Sequence, residues 1–581
     1  MAVRKDHSEI FGAARFNRKP CVTKFYSTKT KERIDMKRFF VFGLLIIVSK
    51  LAFTQSLDEL KKHLYYEHYT AAKLAATNLL AQTNPHPDAW YWLGEIYLQE
   101  KKPDSAEATF KQGLDHAQKN NFSRKQDPLI YIGWAHLLMV KGDSVAARTE
   151  LENVLSESKY KNPTALLAAA RANIDGPRGD LNWALDLLER AAKRDKKNAA
   201  IPMAMGDLYR RLIDGGRAIT AYNEALSLDP SLAEAYYKQG KIYKSQNNES
   251  VYLGLFEKAI QADPHYAPAL YELYDHYFYK DVAKAKHYLD AYIKNSEPSI
   301  RHHYMLADLE FIAKNYQDAI NHAQTVIAAE KEKSEPRLYK LLAYSYEATG
   351  DSVKALQEMK IYFDKSDTGR QIAKDFELMG RLTMAVEDDK EKAANWYQKA
   401  WELSEDVDEK MKYLNLLADW EKQNGNRLRE AYWREQIYTT KYQPSNVDLY
   451  NWGLALFAGE DYKKADSVFA IYSEKYPEQV YGYLWRAKSN ALIDSTMELG
   501  LAVPHYQKLI EVASADSIKN KSLLLSAYGY LGSYEANVRK DFDASLDYFE
   551  KLLALDPDNS DANKYASTLK KWIEEEEKTN D

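Results

Sequence analysis

The stretch from Trp90 to Phe110 constrains the fold more than any other. It places Trp90, Leu93, Gly94 and Tyr97 in one short run, followed by Ala106 and Phe110. That order, W-x2-L-G-x2-Y and then A-x3-F, marks a repeated pair of helices. Weaker copies run along most of the chain. The small residue of each first helix traces them: Gly94, Ala135, Ala170, Gly206, Gly240, Ala307, Ala343, Gly380, Gly453, Ala487 and Gly532. Steps cluster near 34 residues, or near twice that where Tyr274 replaces a small residue between Gly240 and Ala307.

Packing explains the pattern. A small residue lets the first helix approach the second helix of its own unit. A second small residue, such as Ala106, Ala218, Ala355, Ala465 or Ala544, does the same from the other side. Large residues, among them Tyr222, Phe256 and Phe469, fill the remaining space. Asp229-Pro230, Asp263-Pro264 and Asp556-Pro557 end units, because proline lacks an N–H and disfavours helix at the residue before it. Gly142-Asp143-Ser144, Gly350-Asp351-Ser352 and Gly459-Glu460-Asp461 read as tight turns, with glycine supplying the left-handed backbone. Asp175–Asp180 and Ile493–Val503 read as longer loops between helices.

About fourteen units are expected between Ser56 and Pro557. The C-terminal helix from Asp558 carries Tyr565, Leu569, Trp572 and Ile573 on one side, which suits a capping helix. The expected division is thus 1–35 an upstream extension, 36–54 a signal peptide, 55–557 the repeat array, and 558–581 a capping helix with an acidic tail.

The signal-peptide reading rests on its parts. Lys37 and Arg38 precede the apolar run Phe39–Val48, and Ala52-Phe53-Thr54 offers small residues for cleavage near Thr54. The run is short for a bilayer span, so no transmembrane segment is expected in the mature chain. Met36 then serves as the working start. The alternative is a mitochondrial-type presequence, with Arg4, Arg15, Arg18, Lys19 and Lys24 set against Asp6, Glu9, Glu32 and Asp35. The one cysteine, Cys21, lies upstream of the cleavage point, so the mature chain has no thiol chemistry. A net charge of −5 gives no basic surface for nucleic acid. Tyrosine is abundant at 44 residues, which supplies many rings with a polar tip.

On these motifs the chain resembles the tetratricopeptide repeat family, across roughly 500 residues. The resemblance implies an all-α, right-handed solenoid whose concave face is lined by the first helices. It also implies a scaffold or receptor for proteins and peptides. Placed in that frame, Tyr237, Lys241, Lys244, Tyr271, Asp275, Phe278, Tyr304, Asp308, Phe311, Lys340 and Tyr344 fall on the concave face. Rings interleaved with charges suit an extended peptide. Some relatives in the family clamp a carboxylate with Lys and Asn; here the matching positions are Glu95, Asp207, Lys241, Asp275 and Asp308, so that clamp is not expected.

Catalytic motifs do not assemble. His63, Glu67 and His68 are spaced one residue too far apart for an inverted zincin motif. Asp367-Thr368-Gly369 lies in a turn, His302-His303 point to different faces, and Ser156–Lys159 lacks partner motifs. The expectation is a non-enzymatic, cofactor-free and metal-free scaffold of the bacterial cell envelope, secreted or periplasmic, which holds a protein or peptide partner. The alternatives are a glycan- or cell-wall-binding solenoid and a non-catalytic subunit of an envelope enzyme or secretion complex. Oligomeric state, curvature and partner identity are not encoded in these patterns.

Overall fold

The computed structural model describes residues 56–580. The expected extension, signal peptide, cleavage point and Cys21 lie outside the described residues. Within them the chain forms twenty-nine α-helices and no strand. Twenty-eight helices make fourteen consecutive pairs, from Leu57–Tyr65 with Tyr69–Leu80 to Lys521–Tyr534 with Phe542–Leu555. The remaining helix, Ser560–Asn580, follows the last pair. The fold is an all-α solenoid.

The small tracer residues have one geometric role. A Cβ placed on Gly94 would sit 2.1 Å from the Phe110 ring. At Gly206 it would meet Tyr222 at 2.3 Å, and at Gly240 it would meet Phe256 at 2.5 Å. In each pair the second helix thus drives an aromatic knob into the space where the first helix has no side chain. These three knobs are fully buried. Aspartates then start the second helices: Asp143, Asp214 and Asp281 each accept a hydrogen bond from the backbone N–H three residues on.

The chain divides into two compact units, the first ending at Leu341 and the second beginning at Leu342. The boundary falls within the helix Pro336–Ala348. In the first unit the irregular loop after Asp175 is held by Asn173, whose Oδ1 accepts from Asp180 N at 2.9 Å. The largest core cluster lies around it, with Ile132, Leu151, Leu166, Leu187 and Leu208 all buried.

The second unit repeats the scheme, with Phe469 opposite Gly453 and Phe549 opposite Gly532. Two of its first helices continue as π-helical turns, Thr383–Glu387 and Glu535–Arg539, each followed by a left-handed residue, Asp388 or Lys540. The turn expected to use Gly459 does not: Gly459 has φ −89°, and Glu460 takes the left-handed backbone at φ +65°. A Cβ on Gly459 would lie 2.8 Å from Cδ2 of Leu428, the tip of an exposed side chain. The helix Ser560–Asn580 lays Ala562, Ala566 and Leu569 on Phe549 and Leu552, which leaves Tyr565 and Trp572 largely exposed.

Candidate functional site

Two features of the first unit bear on function. One is the strip of first-helix side chains expected to form a groove. The other is a chamber that the sequence did not announce.

In the strip, Lys241 and Lys244 of helix Ala233–Ser245 both reach Glu272 of helix Ala267–Tyr277. Lys244 also holds Asp275 at 2.7 Å. Glu272 is buried, and its two lysines provide the compensating charge. Burial opposes the charge on Lys244, but Asp275 and Glu272 outweigh it and raise its pKa above the ordinary lysine range. Tyr271 accepts a hydrogen bond from Arg301 Nη2 at 3.1 Å and packs at a tilt against Tyr292. Tyr237 packs on Phe256 and Tyr266, and Phe278 packs edge-on against Tyr274. Asp308 is bonded to Arg337, whose guanidinium lies over the Tyr304 ring. Tyr304, Phe311 and Lys340 are buried, at 8%, 3% and 4% exposure, so they pack rather than face solvent. Tyr344 belongs to the second unit, where its hydroxyl donates to Asp375 at 3.2 Å. The strip is therefore a ladder that ties successive first helices together. Asp275 is its most open member, with half of its side chain exposed.

The chamber has a volume of about 550 Å³. First helices from four pairs form its wall: Tyr91, Trp92 and Glu95; Arg171 and Asp175; Ala204 and Asp207; Glu234 and Lys238. Lys61, Leu64, Tyr65 and Tyr69 of the first helical hairpin complete it. That hairpin clasps residues about 200 positions away. Tyr66 donates to Asp263 at 2.9 Å, and His68 Nε2 lies 2.9 Å from the Asn295 carbonyl. Tyr65 packs against Tyr266 with ring centroids 5.3 Å apart. The helix Tyr69–Leu80 lacks a side-chain cap of its own. Glu297 supplies one, accepting from Ala71 N at 2.8 Å.

The chamber's charges are mostly spent on one another. His136 is buried, with Nδ1 2.9 and 3.1 Å from the two oxygens of Glu95. Burial disfavours its charge, yet Glu95 prevails and raises the imidazole pKa. Asp207 accepts from the Tyr222 hydroxyl at 2.7 Å and from Lys238 at 2.8 Å. Lys238 also pairs with Glu234 at 2.7 Å. Tyr222 therefore joins core to chamber: its ring fills the space at Gly206, and its hydroxyl reaches the chamber wall. The second unit also sets buried tyrosine hydroxyls on carboxylates, with Tyr362 donating to Asp375 and Tyr413 to Glu377. Part of the tyrosine excess has its physical reason here.

The remaining motif residues are accounted for locally. His63 and His68 lie with ring centroids 6.1 Å apart, and His68 is used in the clasp. His302 is buried against Ser296, and His303 meets His322. No helix among the described residues is long and apolar enough to cross a membrane.

Models described as tetratricopeptide repeat match residues 64–124 and 449–478, and one described as TPR repeat matches 216–247. Cellulose synthase operon protein C of Pseudomonas fluorescens is 24% identical over 186 residues, 31% of this chain and only 14% of that protein. The C-terminal part of a TPR repeat-containing protein from Cytophaga hutchinsonii is 28% identical, covering 46% of this chain and 99% of that one, with a TM-score of 0.28. The type IV pilus biogenesis factor PilW is 20% identical over 37% of this chain and 97% of that one, with a TM-score of 0.29. Three family matches spread along the chain fall on helices that carry these small residues and aromatic knobs: the chain belongs to the tetratricopeptide repeat family.

Proposed function

We propose that this protein is a non-enzymatic scaffold of the bacterial cell envelope that holds a protein or peptide partner on its first-helix faces. The observation that carries the reading is the charged and aromatic ladder of helices Ala233–Ser245 and Ala267–Tyr277. Lys241, Lys244, Tyr271 and Asp275 keep part of their surface open while their mutual pairing fixes their positions. Such groups select a partner by register and lose little side-chain entropy on binding. Tyr237 and Phe278 flank the ladder with half-buried rings. Asp308 continues the pairing to the next first helix through Arg337, while Tyr304, Phe311 and Lys340 are buried; Tyr344 is a separate contact point in the second unit. The envelope assignment rests on the signal-peptide pattern of residues 36–54, and the partial match to a cellulose synthase operon protein agrees with it.

The test is capture of partners from an envelope extract by wild type, Asp275→Lys and Tyr271→Ala. Both variants are expected to keep their helical circular dichroism and lose the wild-type partner set. An unchanged partner set from folded variants would overturn the reading.

A further inference from the structure

The chamber differs from the ladder in what it leaves unspent. Glu95, Asp207, Glu234 and Lys238 have partners within the wall. Three charged groups do not spend themselves in this way. Arg171 and Asp175 line the chamber one helical turn apart, yet make no ion pair with each other and no hydrogen bond to the described residues. Lys61 lies over the Trp92 ring at 5.9 Å and holds no carboxylate. The buried Nε1 of Trp92 is a further donor without an acceptor among the described residues.

The chamber therefore presents open donors and an open acceptor together. Its wall is close to balanced in charge: the four carboxylates Glu95, Asp175, Asp207 and Glu234 face the three cations Lys61, Arg171 and Lys238, and His136 pairs with Glu95 from behind. A ligand of high net charge would leave one sign in excess. A ligand rich in hydroxyls would not, since each hydroxyl both donates and accepts. The rings of Tyr65, Tyr69 and Trp92 supply apolar surface for the C–H faces of such a molecule. The volume lies in the range of small-molecule sites. A peptide backbone also donates and accepts, but its chain must leave at both ends. Here one wall is a hairpin tied down at Asp263, Asn295 and Glu297.

We propose that this chamber is a binding site for a neutral saccharide of one or two rings, held by Lys61, Arg171 and Asp175 against Tyr65, Tyr69 and Trp92. The site is separate from the ladder and goes beyond the scaffold reading.

Titration calorimetry of the full chain with cellobiose, N,N′-diacetylchitobiose and maltose, each alone, tests it, with dialanine as the peptide probe. At least one disaccharide is expected to bind. Arg171→Gln and Asp175→Asn are each expected to weaken it by about tenfold, the effect of one lost hydrogen bond to a charged group. Both variants should keep the wild-type helical circular dichroism, because neither side chain is hydrogen-bonded to the described residues. Absence of binding by all three sugars, equal affinity in both variants, or binding of dialanine in place of sugar would each overturn the proposal. Asp275→Lys, which serves as the test of the ladder, should bind the sugar as wild type does, so the two readings fail separately.

Discussion

The two units use one repeat and differ in how far their contacts reach. In the second unit, the hydrogen bonds and ion pairs between described side chains join a helix to itself or to nearby helices, as Lys412 to Glu377 and Lys521 to Asp556 do. That is the quasi-one-dimensional economy of a solenoid, in which each repeat depends on its neighbours. The first unit has the same ladder contacts and adds the clasp, which joins residues 197 to 227 positions apart. A solenoid can thus acquire a non-local closure without changing its repeat. The closure uses a few polar contacts, and it gives the space beside the first helices one more wall.

The comparison can be broken at its shared element first. Gly94→Ala should destabilise the first unit by about 3 kcal/mol, because overpacking a filled core forces the Phe110 ring to shift. Gly532→Ala in the second unit should cost less, since its Cβ would stand 2.8 Å from Phe549 rather than 2.1 Å from an aromatic knob. Urea unfolding of both variants checks the order; equal losses would show that the closeness of the knob does not set the cost.

The clasp comes next. Glu297→Ala with Tyr66→Phe removes a cap and a hydrogen bond to a carboxylate, and should cost about 2 kcal/mol locally. Hydrogen exchange should quicken in Leu57–Leu80 and stay unchanged beyond Leu342. Unchanged exchange in the hairpin would mean that the long-range contacts add nothing to its neighbour packing.

The smallest effect sharpens the contrast at a helix start. Asp127 is buried, and its Oδ1 has no partner among the described residues. Burial, reinforced by Asp88, pushes its pKa up to about 6. A raised carboxylate pKa penalises the folded state once the group ionises, so the penalty grows from about pH 4 and is complete above about pH 6. Asp127→Asn should therefore stabilise by about 1–2 kcal/mol at pH 7 and by nothing near pH 4. Asp406 in the second unit is exposed and accepts from two backbone N–H groups, so Asp406→Asn should be close to neutral. Thermal melts of both variants at the two pH values decide it.

What the sequence revealed follows from the range of each interaction. The pair of Gly94 and Phe110 lies within one repeat, so its spacing is written locally, and fourteen helix pairs can be read from such spacings. The Asp143 cap is readable for the same reason. Even the poorly matching stretches near Ala170, Leu417 and Ala487 form regular pairs, because neighbour packing overrides a weak signature. The turn at Gly459 departs from its sequence expectation because the left-handed position falls one residue later, on Glu460, and a glycine next to that position does not reveal the shift. Tyr304, Phe311 and Lys340 share first-helix positions with open residues, and only the neighbouring helices decide which are buried. The clasp leaves no local trace, for nothing near Tyr66 specifies Asp263.

The clasp also sets an order of events during synthesis. Ala71 leaves the ribosome 226 residues before the Glu297 that caps its helix. At 5–20 residues per second that is roughly 10–45 s. For that interval Tyr66 and the uncapped helix start lack their distant partners, and the hairpin side of the chamber is not yet tied down. The first helices made are thus secured only after many later ones have emerged, so the hairpin is a segment that a folding helper or a premature ligand would meet early.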